Sequence, residues 1–291
     1  MTFKFKNLSL AVGLSVGSIC APALAVPITT SVESSVVIDQ NGVINSHSDG
    51  PGSSAYSYKH EYVGYNRYSS GNANGDDSGR SYLTSESSVN VSTVTSTFHQ
   101  LAKVTNDAAT AQAFTFSFLI NQGSLSVYKN YNTTLLGSDF YSASYSADIR
   151  VNGVSIWNSA ATLTNDATQS NLTQSGTSLG SYWSGNDYYS WSPFAKTLNL
   201  GTFASGEEFT LDYFLTTNVT NSILNPGVCD GYGYGCTSRA QFGDPNEIAS
   251  AMNEDTIKPG VTASVPEPTS LVLLGVGLAG LAFRRRAKKS V

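Results

Sequence analysis

Between its two ends the chain alternates apolar and polar residues with a period of two. Phe114, Phe116, Phe118 and Ile120 interleave with Thr115, Ser117 and Leu119, and Phe209, Leu211, Tyr213 and Leu215 repeat the pattern. Tyr141, Ala143, Tyr145, Ala147, Ile149 and Val151 form a third run over mostly polar partners. Successive side chains of a strand point to opposite faces, so each run predicts a strand with one face in the core and one in solvent. Val89, Val91 and Val94, set among Ser and Thr, predict a long strand whose register breaks near Thr93. Further strands are expected at 35–39, 54–64, 125–128 and 196–203.

One turn is especially legible. Asn152-Gly153 is the pair preferred in a two-residue type I′ hairpin. It predicts Val151 opposite Val154 and Ile149 opposite Ile156, all four on one face. Nearly a dozen strands separated by Gly, Asn and Ser turns, with almost no helical periodicity, predict an all-β fold. The expected architecture is an antiparallel β-sandwich spanning 26–240, with a jelly roll as one candidate topology. No tandem repeat is evident. Residues 241–265 read as a polar linker.

Composition fits this picture. Of 291 residues 40% are hydrophobic, enough to build a core, and only 13% are charged. The charge is unevenly placed. Five of the 16 basic residues lie in the last eight positions, and 26–265 keeps nine basic against 20 acidic residues, a net charge of −11. Such a body repels nucleic acid, whose binding depends on neutralising phosphates. The same acidity is expected to favour divalent cations over anions.

The first 25 residues have the three parts of a signal peptide: basic Lys4 and Lys6, an apolar stretch at 8–20, and Ala23-Leu24-Ala25 for signal peptidase to cut before Val26. Lipidation at Cys20 is disfavoured because Ile19 stands where a small residue is needed. Export leads to an oxidising compartment with two cysteines left, Cys229 and Cys236, separated by a Gly-rich loop. Glycines at 231, 233 and 235 let that loop turn tightly, so a Cys229–Cys236 disulfide is expected rather than a metal site.

The far end reads Pro266-Glu267-Pro268, then thirteen apolar residues at 271–283, then Arg284, Arg285, Arg286, Lys288 and Lys289. This segment, 266–291, resembles the PEP-CTERM sorting signal of Gram-negative bacteria; similar tails also occur as a C-terminal segment of ice-binding proteins. The resemblance implies a transmembrane helix at 271–283 and an exosortase as processing partner. It also implies transient anchoring in the inner membrane before release to the cell surface or beyond. Length alone favours a buried core helix, because the apolar run makes only about 20 Å of helix, short for a bilayer. The basic cluster nevertheless marks a cytoplasmic stop, and its arginines can snorkel.

Candidate chemistry in the body is sparse. Gly176-Thr-Ser178-Leu-Gly180 has the spacing of a nucleophile elbow, but His47, His60 and His99 all precede it and no β-α-β pattern surrounds it. The chain is therefore read as non-enzymatic. Asn74, Asp76 and Ser78 with Gly79 have part of the spacing of a calcium loop but lack its closing glutamate. No metal or cofactor is otherwise implied. The aromatic residues are the most suggestive feature. Tyr56, Tyr58, His60 and Tyr62 share one strand face, for which the core is the simpler expectation. Tyr182, Trp183, Tyr188, Tyr189 and Trp191 crowd around Ser, Gly and Asn, and two readings stand: core rings or a carbohydrate contact.

The expected role is structural or adhesive, at the cell surface or in an exopolysaccharide matrix. A carbohydrate-binding module or a secreted glycan-active enzyme is the alternative. Ice binding would call for repeating flat Thr-x-Thr arrays, which the sequence lacks.

Overall fold

The three long alternating runs all form strands, and the chain adds others that the pattern conceals. The computed structural model describes residues 27–63, 67–77, 80–129, 134–183, 187–224, 236–243 and 257–259. All regular structure among them is β, and every strand pair is antiparallel.

With strands numbered along the chain, the first sheet has the order β11 (Ser170–Gly176), β10 (Val154–Asp166), β9 (Phe140–Val151), β15 (Glu208–Ser222), β6 (Val91–Thr105), β1 (Ile28–Gln40) and β2 (Val43–Gly52). The second has the order β12 (Ser181–Trp183), β13 (Tyr188–Trp191), β8 (Gly123–Lys129), β16 (Cys236–Phe242), β5 (Ser81–Ser87), β4 (Tyr68–Asp76) and β3 (Ser54–Tyr62). A three-stranded sheet joins β14 (Phe194–Phe203), β7 (Gln112–Ile120) and β17 (Ile257–Pro259). The sandwich-like arrangement agrees with expectation. Its strands in three sheets exceed the eight in two of a simple jelly roll.

The two large sheets pack face to face. Gly71 and Gly75 of β4 come so close to the first sheet that a Cβ on Gly71 would lie 2.4 Å from Val36 Cγ1, and one on Gly75 2.3 Å from Phe98 Cε2. Only glycine permits that approach. At the other end Tyr145 of β9 meets Trp191 and Phe242 of the second sheet, with ring centroids at 4.6 and 5.3 Å. The small sheet covers the rest of the first through Phe118 against Trp157 (4.9 Å) and Phe114 against Phe209 (5.2 Å).

The interior between the large sheets is laced with hydroxyls. Ser85 Oγ lies 3.1 Å from Ser96 Oγ and 3.0 Å from Thr217 Oγ1, and Ser34 Oγ donates to Ser57 Oγ at 3.0 Å. Asn221 accepts from Ser238 Oγ at 2.6 Å and donates to the carbonyls of Ser87 and Val89. Buried polar groups are tolerated when paired in this way. A chain rich in serine thus still builds a core.

Four expectations are corrected. The Asn152-Gly153 turn forms with both residues at positive φ, as type I′ requires, and Val151 pairs with Val154. Ile149, however, pairs with Trp157 because Ile156 is the extra residue of a bulge. The bulge rephases β10 so that Trp157, Ala161 and Leu163 face inward, while Val154 and Ile156 are exposed. Second, no register break occurs at Thr93, which lies in unbroken register with Asp39 and Thr220. Val89 is buried in the connection from the second sheet to the first. Third, the stretch expected as linker contributes the end of β16 and all of β17, whose Ile257 is fully buried. Fourth, the rings of β3 face outward, as described below.

Candidate functional site

The crowded aromatic segment becomes a short hairpin, and strand alternation sorts its rings. In the β12–β13 ladder Tyr182 lies opposite Tyr189 and Trp183 opposite Tyr188. Residues directly opposite share a face. Tyr189 and Trp191 are buried and Tyr182 packs against the core, whereas Trp183 is 61% and Tyr188 37% exposed. The expected five-ring contact therefore divides: Tyr189 and Trp191 are core, with Tyr182 against it, and Trp183 and Tyr188 form a surface pair.

The buried rings hold the exposed ones in place. Trp191 Nε1 donates to the Asn121 carbonyl at 2.9 Å. The Tyr189 hydroxyl accepts from the Gly180 amide and from Gln174 Nε2, both at 2.9 Å, tying the chain before β12 to β13. Asp187, at the foot of β13 with φ of 48°, accepts from Asn165 Nδ2 at 2.8 Å and from the Ser170 hydroxyl. The hairpin is thereby fastened to the first sheet. Burial pushes the Tyr141 and Tyr145 phenols above their ordinary range, the former with help from the Asp187 charge, so both remain neutral.

Beside the Trp183–Tyr188 pair lies an open groove of about 670 Å³. Ser124, Ser181, Ser190 and Gln241 line it with hydroxyl and amide groups, and Leu179 and Gly180 line it beside the rings. No charged side chain lines it among the described residues.

A second ring group lies on β3, at the opposite edge of the same sheet. Tyr56, Tyr58 and Tyr62 are 54%, 46% and 73% exposed. Alternation correctly places them on one face but does not say which. Ala55 and Ser57 take the inner side because the first sheet comes close there, as the Ser34–Ser57 hydrogen bond shows. His60 stacks on Tyr68 of β4 with centroids at 5.0 Å and planes at 14°, and lies 4.3 Å from Tyr62.

The remaining candidates lie elsewhere. Ser178 sits between two strands, where Gln174 Nε2 donates to it at 3.0 Å. Asn74 and Asp76 belong to β4, and Asp76 pairs with Arg80 at 3.2 Å. Among the described residues no group of three or more His, Cys, Asp or Glu side chains could hold a metal ion. Cys236 is buried at the start of β16, and Cys229 lies outside the described residues. So do the signal segment 1–25, Pro266, Glu267, Pro268, the expected helix at 271–283 and Arg284, Arg285 and Arg286.

Residues 264–286 match the family model of the PEP-CTERM protein-sorting motif. The match covers the Pro-Glu-Pro residues, the apolar run and the arginines, and marks the chain as an exported protein of the kind that a membrane exosortase processes. No curated protein matches the chain.

Proposed function

We propose that the processed protein is a non-enzymatic component of the cell surface or exopolysaccharide matrix that binds neutral polysaccharide through the Trp183–Tyr188 groove. The observation that carries this reading is a large indole exposed to solvent in a groove that serine hydroxyls and a glutamine amide also line. Sugars present apolar C–H faces and hydroxyl edges together, and a flat ring beside hydrogen-bonding groups is complementary to both. An uncharged groove on a body of net charge −11 favours neutral over acidic chains.

Binding is better supported than hydrolysis. Glycoside cleavage generally calls for two carboxyl groups flanking the scissile bond. No carboxylate lines the groove among the described residues. After cleavage by signal peptidase and the exosortase, the body would be free to engage polymer outside the cell.

The test is retention of the secreted protein in gels containing neutral glucans and mannans, with Trp183→Ala and Tyr188→Ala as the variants. Retention by wild type and its loss in both variants, with unchanged melting, is the expected result. Equal migration of all three proteins in every gel contradicts the reading.

A further inference from the structure

The rings of β3 and the Trp183–Tyr188 groove lie at opposite edges of one sheet face, and the strand registers connect them. Tyr188 is opposite Ser126, Ser126 opposite Arg239, Arg239 opposite Glu86, Glu86 opposite Ser70, and Ser70 opposite His60. Because each cross-strand pair shares a face, this is one continuous row over the outer surface. It spans five strand steps, about 24 Å at roughly 4.8 Å each.

The β3 group has the character of a platform. Tyr58, His60, Tyr62 and Tyr68 lie ring against ring, and the Tyr58 hydroxyl is 3.2 Å from His60 Nδ1. The middle of the row is polar and internally satisfied. Arg239 pairs with Glu86 at 3.7 Å, and the Tyr68 hydroxyl donates to the same carboxylate at 2.5 Å. A protein partner would bury these charges, whereas the cores of protein interfaces are depleted of them. A sugar chain can exchange its water for such groups directly or through bridging water.

We propose that the β3 rings form a second sugar platform, and that a single neutral polysaccharide chain crosses the sheet from there to the Trp183–Tyr188 groove. The proposal rests on the reading of that groove as a polysaccharide site and extends it to a ligand class: linear chains long enough to reach both edges. Successive strands rotate by about 20°, so the path is curved and suits a soluble, flexible chain better than a flat crystalline fibre. Two platforms on one polymer act together, because binding at one raises the local concentration of chain at the other.

The experiment is titration calorimetry of the secreted protein with a soluble neutral glucan or mannan that retains it, and with trisaccharides cut from that polymer. Tyr58→Ala/Tyr62→Ala is compared with Trp183→Ala and wild type. Loss of the β3 platform is expected to weaken polymer binding by about tenfold or more. It is also expected to lower trisaccharide stoichiometry from two to one and leave affinity at the remaining site unchanged. If Trp183→Ala weakens polymer binding while Tyr58→Ala/Tyr62→Ala equals wild type, the second platform is refuted and the groove reading stands. If wild type binds no glycan, the groove reading itself fails. If the β3 change alters self-association and not sugar affinity, the ring group is a contact between copies and the proposal is overturned. Should the double variant unfold, Tyr62→Ala alone, at the most exposed ring of the group, serves the same comparison.

Discussion

Trp183 stands directly opposite Tyr188 across the β12–β13 ladder, both turned to solvent, while the neighbouring pair Tyr182–Tyr189 turns to the core side. Two adjacent rows of one three-residue ladder thus do different work. The inner row anchors the hairpin and the outer row presents rings. Substitution in the outer row is therefore expected to test the proposed binding without unfolding the hairpin.

Close packing between the sheets is tested at Gly71. A methyl group there would meet Val36 Cγ1 at 2.4 Å and Ser96 Oγ at 2.8 Å, with Val94 Cγ1 at 3.1 Å. Gly71→Ala is expected to destabilise the fold by about 1–3 kcal/mol, as overpacking of a filled core does. Gly153→Ala has open space and meets nothing within 4 Å, so its penalty comes only from positive φ. Urea denaturation of both variants checks the contrast, and equal loss at the two sites would contradict it.

Asp49 supplies a pH dependence. Its carboxylate accepts the Tyr56 amide at 2.8 Å and the Gly50 amide at 2.9 Å, and these bonds, the Tyr56 one foremost, hold its pKa below the ordinary 3.8. A carboxylate depressed on folding stabilises the native state at pH above its unfolded pKa. That contribution is lost as pH falls through the folded value. Asp49→Asn is expected to show a shallower fall in melting temperature than wild type between about pH 5 and pH 2. Parallel curves would contradict the assignment.

Exported protein is expected to carry a Cys229–Cys236 disulfide. Closing so short a loop contributes about 2–3 kcal/mol in the chain-entropy view. Thiol labelling without reductant should modify neither cysteine, and stoichiometric labelling of both would end the proposal.

Processing has its own signature. Intact mass of secreted material is expected to show a start at Val26 and loss of the apolar run at 271–283, with the cut at or near Pro266–Pro268. Retention of that run in released protein would contradict processing at the sorting motif.

Much of the fold was legible because half-buried strands write their faces into the sequence. Phe114 to Ile120 and Phe209 to Leu215 are examples, and Asn152-Gly153 announced its turn. What stayed hidden has physical causes. In β4 the inward positions are Ser69, Gly71, Ala73 and Gly75, chosen for close approach and so invisible to a hydrophobic pattern. Edge strand β2 is exposed along most of its length and buries no face to leave a pattern. The bulge at Ile156 depends on where Trp157 finds Phe118 and Phe194, a long-range fact. The aromatic cluster was visible as a cluster, but its division needed the phase of the ladder. The outward turn of Tyr56, Tyr58 and Tyr62 needed the position of the opposing sheet.

The most direct measurement uses the protein's own fluorescence. Of its three tryptophans, Trp157 and Trp191 are 5% and 4% exposed, and Trp183 alone lies in solvent at 61%. Adding a retained neutral polysaccharide is expected to shift the emission to the blue and shield it from acrylamide. Trp183→Phe should abolish both changes. Trp191→Ala, by contrast, is expected to destabilise the fold by about 3–5 kcal/mol, as loss of a core indole does. An emission change that persists without Trp183, or saturating polysaccharide that leaves wild-type emission untouched, would contradict the claim that this groove is where the protein meets its ligand.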